Sequence, residues 1–436
     1  MAGAQSCVAT VRPTCKECRY RRGSAGWALV YAQIMSRRSV RFRPPALALT
    51  PAIRWMLLRA FGPAGAAAPA ADPAEALALC VRFELAGRVA ARQGRARLAA
   101  ELGAAAAARF AREQAAVAGA GLRILGLAEQ VAALAAPLGL PLVLLKFAAL
   151  ELGNALAPGS RAACDLDVLV PADRAGELQQ ALVGGGFRAS PMPPQEHQLA
   201  ALEGAAGIVE VHRMLLGVRV AGRRSASVED LDRAGLLRPL PALAGKAAVP
   251  LPAVAAAHAL VHGIAQHGWT PHAYSLFKML ADLVDLGFAG PGGEELASRA
   301  APWLVRDVAA AEVEAARQLC AALAAGADLA AWERSPAPAA VLLRHALAGR
   351  LDPDYERALR LALFRRQPSD APEVARLARA VASTVWLSHA QVDAIYGPPR
   401  RRLGYFGRRL GRPLDLVARL GRYGLRAWNL RRRRPA

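Results

Sequence analysis

Lysine is nearly missing from this chain. Lys16, Lys146, Lys246 and Lys278 are the four among 56 basic residues, and the rest are arginine. Part of the arginine excess therefore reflects composition bias. Aromatic residues are scarce too, at 6%. With Ala, Leu and Arg dominant, the composition favours helices. The six cysteines are scattered, three of them within the first 18 positions, and give no disulfide framework. That usage fits a reducing, cytoplasmic setting. Cys15 and Cys18 form a C-x-x-C, but no second pair follows at zinc-finger spacing. A membrane-spanning run is also lacking. The best uncharged stretch, Gln130 to Leu145, has 16 residues and holds Pro137 and Pro141, where a spanning helix needs about 20 apolar ones. The beginning of the chain lacks the basic, apolar, small-residue order of a signal peptide. There is no Walker A motif, no G-x-S-x-G elbow and no G-x-G-x-x-G fingerprint.

Hydrophobic residues make up 54% of the chain and charged ones 21%, which excludes wholesale disorder. At 436 residues there is chain enough for two or three domains. The net charge of +22 sits at the ends. Residues 1–60 hold 11 basic side chains against one acid, and residues 400–436 hold 13 arginines against one acid. The 339 residues between carry 32 of each sign. The basicity thus says little about whether the body of the fold grips nucleic acid.

Four regions are expected. Residues 1–73 read as a disordered basic extension and linker, with Met35 and Met56 as candidate starts. Residues 74–240 read as a helical lead-in followed by an α/β core. Asp72 and Pro73 begin the first helix as N-cap and first helical residue. Residues 250–396 read as a helical C-terminal domain, and 397–436 as an Arg-rich tail. In that tail Tyr405, Phe406, Tyr423 and Trp428 interleave with arginine, which suits an anionic membrane surface or nucleic acid. A solvated, bias-driven tail is the plain alternative.

The chemistry concentrates between Lys146 and His212. Leu142–Leu145 reads as a short buried strand and Phe147–Leu156 as a helix. Asp165–Val170 alternates as a strand does, Gly184 to Gly186 end the next helix, and Gly207–His212 alternates again. Asp165 and Asp167 are two apart on the expected strand, so their carboxylates share one face. Like charges there repel unless a cation lies between them. Mg²⁺ or Mn²⁺ takes oxygen ligands and leaves sites open for phosphate oxygens. Glu210 on a second strand supplies a third carboxylate, which together make a two-metal site for phosphoryl or nucleotidyl transfer. Elsewhere His258 and His262 share a helix face, with His267 and His272 after them. The expected role is packing near the cleft. Asp282 and Asp285 read as a solvated helix face.

The succession LPLVLLK (140–146), PGSRAACDLDVLV (158–170) and VEVH (209–212) resembles the uncharacterised nucleotidyltransferase family, whose catalytic fold is of the polymerase-β type. The resemblance covers roughly residues 105–290. It implies an α/β (α+β) fold: a small mixed sheet with a helical N-terminal segment and a helical C-terminal domain. It also implies a metal-dependent enzyme. A nucleoside monophosphate passes from an NTP to a hydroxyl acceptor and pyrophosphate leaves; the acceptor is a small molecule, a protein or an RNA end. By the same resemblance Asp165, Asp167 and Glu210 bind Mg²⁺ or Mn²⁺, while Lys146, Arg161 and His212 contact the nucleotide. The chain departs from the family pattern at Phe147 and Cys164, where glycine is expected. A bulky Phe147 gives the alternative reading, a binding module of the same fold without catalysis.

Overall fold

Pro51 stands at the first position of helix α1 (Pro51–Phe61), and the Thr50 hydroxyl accepts a hydrogen bond from the Ile53 backbone N–H at 3.3 Å. The computed structural model describes residues 47–154, 156–190, 194, 196–220, 222, 225–266, 276–290, 292–303, 308, 310–351, 392 and 404–411. α1 corrects the expectation that residues 1–73 form only an extension and linker. Ile53, Trp55, Met56, Leu57 and Phe61 are all buried, as is Arg59. The Arg59 guanidinium reaches both Glu101 oxygens at 2.7 and 2.8 Å, and the Trp55 indole donates to the same carboxylate at 2.9 Å. A helix buried on several sides shows no single apolar stripe, so periodicity does not reveal it. Met56, a candidate start, lies within this helix.

Asp72 caps α2 (Pro73–Arg82) as expected, accepting from the Glu75 backbone N–H at 2.7 Å. α3 (Ala86–Leu102) kinks at Gly94, whose φ is +71°. Gly103 then breaks the chain before the long α4 (Ala104–Ala135), while Gly119 and Gly121 lie inside that helix without ending it. Against the expectation that no spanning run is present, α4 is long and apolar enough to cross a membrane by length and composition, a test that a core helix also passes. Its first turns bury Ala107 and Phe110 in a helical core, and its later turns bury Ile124, Leu127 and Val131 against the sheet.

The sheet has seven strands: β1 (Pro141–Leu144), β2 (Asp165–Leu169), β3 (Arg188–Ala189), β4 (Leu202–Glu203), β5 (Ile208–His212), β6 (Leu237–Pro239) and β7 (Lys246–Pro250). They lie in the order β3-β4-β5-β2-β1-β7-β6. β2 runs parallel to β5 and antiparallel to β1, which in turn runs parallel to β7. Strands β4, β6 and β7 were not legible, because β4 and β6 are short and β6 and β7 contain proline. α5 (Lys146–Asn154) follows β1, and α6 (Ala175–Gly184) follows β2. Leu127, Val131, Leu166, Val168, Leu178, Val209 and Val211 close one face of the sheet. Val143, Leu145 and Leu169 belong to a second cluster, with Leu231 of α7 (Val228–Arg233) and Val254. This is the expected mixed α/β architecture.

The helices after the sheet are α8 (Pro252–Leu260), which runs on into a π-helical turn at Val261–Gln266, then α9 (Leu276–Asp285), α10 (Gly293–Ala300), α11 (Ala310–Ala325) and α12 (Pro338–Leu351). They do not form a core of their own. Leu57, Phe83 and Phe110 from before the sheet share one cluster with Leu260, Phe277 and Leu319 from after it. The Phe277 ring lies 5.2 Å from that of Phe83 and 6.2 Å from that of Phe61. The expected division into a lead-in and a separate C-terminal domain thus gives way to one helical core built from both flanks. Of the expected helical domain 250–396, residues 352–391 and 393–396 lie outside the described residues, as does most of the Arg-rich tail; 404–411 is helical.

Candidate active site

β2 and β5 carry the site. In their parallel register Asp167 lies opposite Glu210, and Leu169 opposite His212. Residues two apart on a strand face the same way. Asp165 and Asp167 therefore share a face with Glu210 and His212, while Leu166, Val168, Val209 and Val211 fill the core behind. The alternation that builds the core also gathers the polar side chains.

Asp167, Glu210 and His212 are all buried, and a ligand atom from each lies within 4.8 Å of the others. The His212 Nε2 is 2.9 Å from Asp167 Oδ1 and 4.0 Å from Glu210 Oε2. Asp165 stands two residues earlier on the same face and is half-buried. Lys146 follows directly on β1, where the Leu145 backbone N–H bonds the Asp167 carbonyl at 3.0 Å. The Lys146 ammonium donates to Asp167 Oδ1 at 2.7 Å. Burial disfavours a charged lysine, but Asp167, Glu210 and Asp165 outweigh it and raise its pKa. Burial alone would likewise raise the pKa of Asp167; Lys146 and His212 overcome it and hold the carboxyl well below the usual range.

Arg161, expected at the nucleotide, is engaged elsewhere. Its guanidinium makes a buried bidentate pair with Asp282 of α9, at 2.5 and 2.8 Å, and its Cζ lies 5.8 Å from the Phe147 ring centre. Asp285, one turn on, takes a bidentate pair from Arg88 of α3 at 2.7 and 2.9 Å. Asp282 is 3% exposed, so the pair is a buried clamp on α9 rather than a solvated face. Sequence spacing could not show this, because each partner lies more than 100 residues away.

Beside Lys146 a cleft opens between α5, α8 and α9, lined by Leu150, His258, His262, Asp282 and Leu286. The rings of His258 and His262 meet edge to face at 5.8 Å. Burial, reinforced by the charges of Lys146 and His212, pushes the His258 pKa down to about 3. The expected helix-face packing near the cleft is what these two residues show; His267 and His272 lie outside the described residues. His197 was not singled out in the sequence. It is buried, and its ring lies 5.6 Å from that of His212. No motif marks it, since its segment pairs with β5 through Gln198.

The donor set suits a hard divalent ion. It offers mainly carboxylate oxygens with one imidazole, as Mg²⁺ and particularly Mn²⁺ accept. The half-buried Lys146 ammonium already supplies positive charge among these oxygens. The family model described as "Uncharacterised nucleotidyltransferase" matches residues 69–324, more than half of the chain. No curated protein and no solved structure matches it.

Proposed function

The chain belongs to the uncharacterised nucleotidyltransferase family, and from that premise we propose that it transfers a nucleoside monophosphate from an NTP to a hydroxyl acceptor and releases pyrophosphate. The observation that carries the reading is the register of β2 on β5. It sets Asp167 directly opposite Glu210, with Asp165 and His212 on the same face. In this reading Asp165, Asp167 and Glu210 hold Mg²⁺ or Mn²⁺, with His212 beside them. The ion supplies charge neutralisation at the phosphates and a lowered pKa for the attacking hydroxyl. Glu210 takes up the proton of that hydroxyl. His212 orients the Asp167 carboxylate through its 2.9 Å contact. Lys146 pairs with phosphate oxygens as a mobile point charge. The acceptor is a small molecule, a protein or an RNA end.

The alternative of a non-catalytic module rested on the bulk of Phe147. Its ring is 6% exposed and packs toward α4 and Arg161, not over the carboxylates, which supports retained catalysis. A reducing, cytoplasmic setting belongs to the same reading. It rests on the scattered cysteines of the sequence, which give no disulfide framework.

A thermal-shift series with each NTP, with and without Mg²⁺, tests the proposal without knowledge of the acceptor. A ligand at about 100 times its Kd adds roughly 2.7 kcal/mol. The expected result is a Mg²⁺-dependent shift for at least one NTP, lost in Asp165→Asn/Asp167→Asn. A well-folded protein that no NTP shifts would sink it.

A further inference from the structure

The half-buried ammonium of Lys146 occupies the oxygen that a metal would need. Asp167 Oδ1 receives it at 2.7 Å and has His212 Nε2 at 2.9 Å. The Asp167 side chain is 1% exposed and that of Lys146 14%. The backbone at Lys146 is left-handed, with φ of +50°. Non-glycine residues rarely adopt that conformation, and it persists where the surroundings impose it, often at functional sites. Here the surroundings are plain. Leu145 is tied to Asp167 through the backbone, and Phe147 is anchored in the core. The turn between them aims the lysine at the carboxylates.

A divalent ion and an ammonium repel each other, so each weakens the other's hold on the Asp167 carboxylate. Moving the ammonium away with nothing in exchange would leave it without a counter-charge in a buried place, which is strongly unfavourable. A phosphate chain removes that obstacle, because its oxygens offer charge-assisted hydrogen bonds. Lys146 also lines a small cleft beside Leu150 and His258, on the side away from Asp167 toward which the side chain would swing. We propose that Lys146 is an internal cation that keeps free divalent metal off Asp167 and yields only to metal arriving with a phosphate chain. The site thus selects the metal–nucleotide complex over either component alone. This rests on the nucleotidyl-transfer reading and adds to it an order of binding.

The test measures Mn²⁺ binding to the full chain by electron paramagnetic resonance, for the wild type, Lys146→Met, Lys146→Arg and Asp167→Asn. Lys146→Met is expected to bind Mn²⁺ alone at least about tenfold tighter than the wild type, the equivalent of losing one charged hydrogen bond. Lys146→Arg keeps the charge and stays weak. In parallel, the melting temperature of the wild type is followed with Mn²⁺, with inorganic tripolyphosphate, and with both; only the combination is expected to raise it. Wild-type binding of Mn²⁺ alone as tight as in Lys146→Met overturns the proposal and leaves the metal site standing. No Mn²⁺ binding in any variant, with or without tripolyphosphate, overturns the metal site as well. If Lys146→Met does not fold, the melting series decides: a shift with Mn²⁺ alone equal to that with both overturns the proposal, and a shift that needs both supports it.

Discussion

A Cβ placed on Gly121 would stand 2.9 Å from the Cζ of Phe147. The glycine sits mid-way along α4, and the ring that fills its space begins α5. The missing side chain on one helix thus makes room for the extra one on the other. Phe147→Ala is expected to cost about 3–5 kcal/mol of stability, as large-to-small core changes do. Gly121→Leu should cost about 1–3 kcal/mol through overpacking, despite its better helix propensity. The double variant Gly121→Leu/Phe147→Ala should lose less than the two singles added together, because the residues share one space. Urea denaturation of the three variants measures this. Strict additivity would show that the ring does not depend on the glycine.

The Arg161–Asp282 pair fixes α9 against the loop that leads into β2. Arg161→Met removes the bidentate partner of a carboxylate that is 3% exposed, at an expected cost of about 3–5 kcal/mol. Arg161→Met/Asp282→Leu should recover most of that loss, since replacing both partners by apolar groups is often near neutral. Nucleotide affinity of this double variant separates the two roles assigned to Arg161. Unchanged affinity marks it as a clamp, and a large drop marks it as a phosphate contact.

His258 should make the protein sensitive to acid. Its folded pKa of about 3 lies below the ordinary histidine value, so between roughly pH 6.5 and 3 the unfolded chain binds the extra proton. Stability then falls as pH falls through that window. With 1.36 kcal/mol for each pH unit, His258 alone lowers stability by about 2 kcal/mol between pH 7 and pH 5. His258→Leu should flatten the acid limb by that amount. Denaturant midpoints of both proteins at pH 7 and pH 5 provide the comparison, and parallel curves would contradict it.

Trp55 ties α1 to the helical core. It is 1% exposed, its ring lies 6.0 Å from that of Phe110, and its indole bonds Glu101. Trp55→Phe loses the hydrogen bond to a charged acceptor, with an expected cost of about 1.5–3 kcal/mol. Trp55→Ala should cost about 3–5 kcal/mol. Thermal melts of the two variants check the order. Equal, negligible effects would remove α1 from the core.

The two strands of the candidate site were legible because two independent signals coincided on them. Asp165 and Asp167 show both the period of a strand and a pairing of like charges that a cation relieves. Glu210 and His212 show the same period in a second strand. The Asp72 cap was readable for a similar reason, since capping is decided within a few residues. α1 was hidden because PAIRWMLLRAF is buried on several sides and carries no stripe. β7 was hidden because Ala247, Ala248 and Val249 are too few to show alternation, and only β1 beside them makes them a strand.

The sequence by itself determined which residues share a face, since spacing along a strand or helix fixes direction without reference to the rest of the chain. It therefore set Asp165 with Asp167, Glu210 with His212, and His258 with His262. Tertiary structure decided which of those faces meet. It placed Asp167 opposite Glu210, turned Lys146 onto Asp167, engaged Arg161 with Asp282 and merged the helices of both flanks into one core. Those partners lie between 21 and 121 residues apart in the ion pairs of Lys146 and Arg161. Such contacts depend on how the whole chain packs, which local periodicity does not encode.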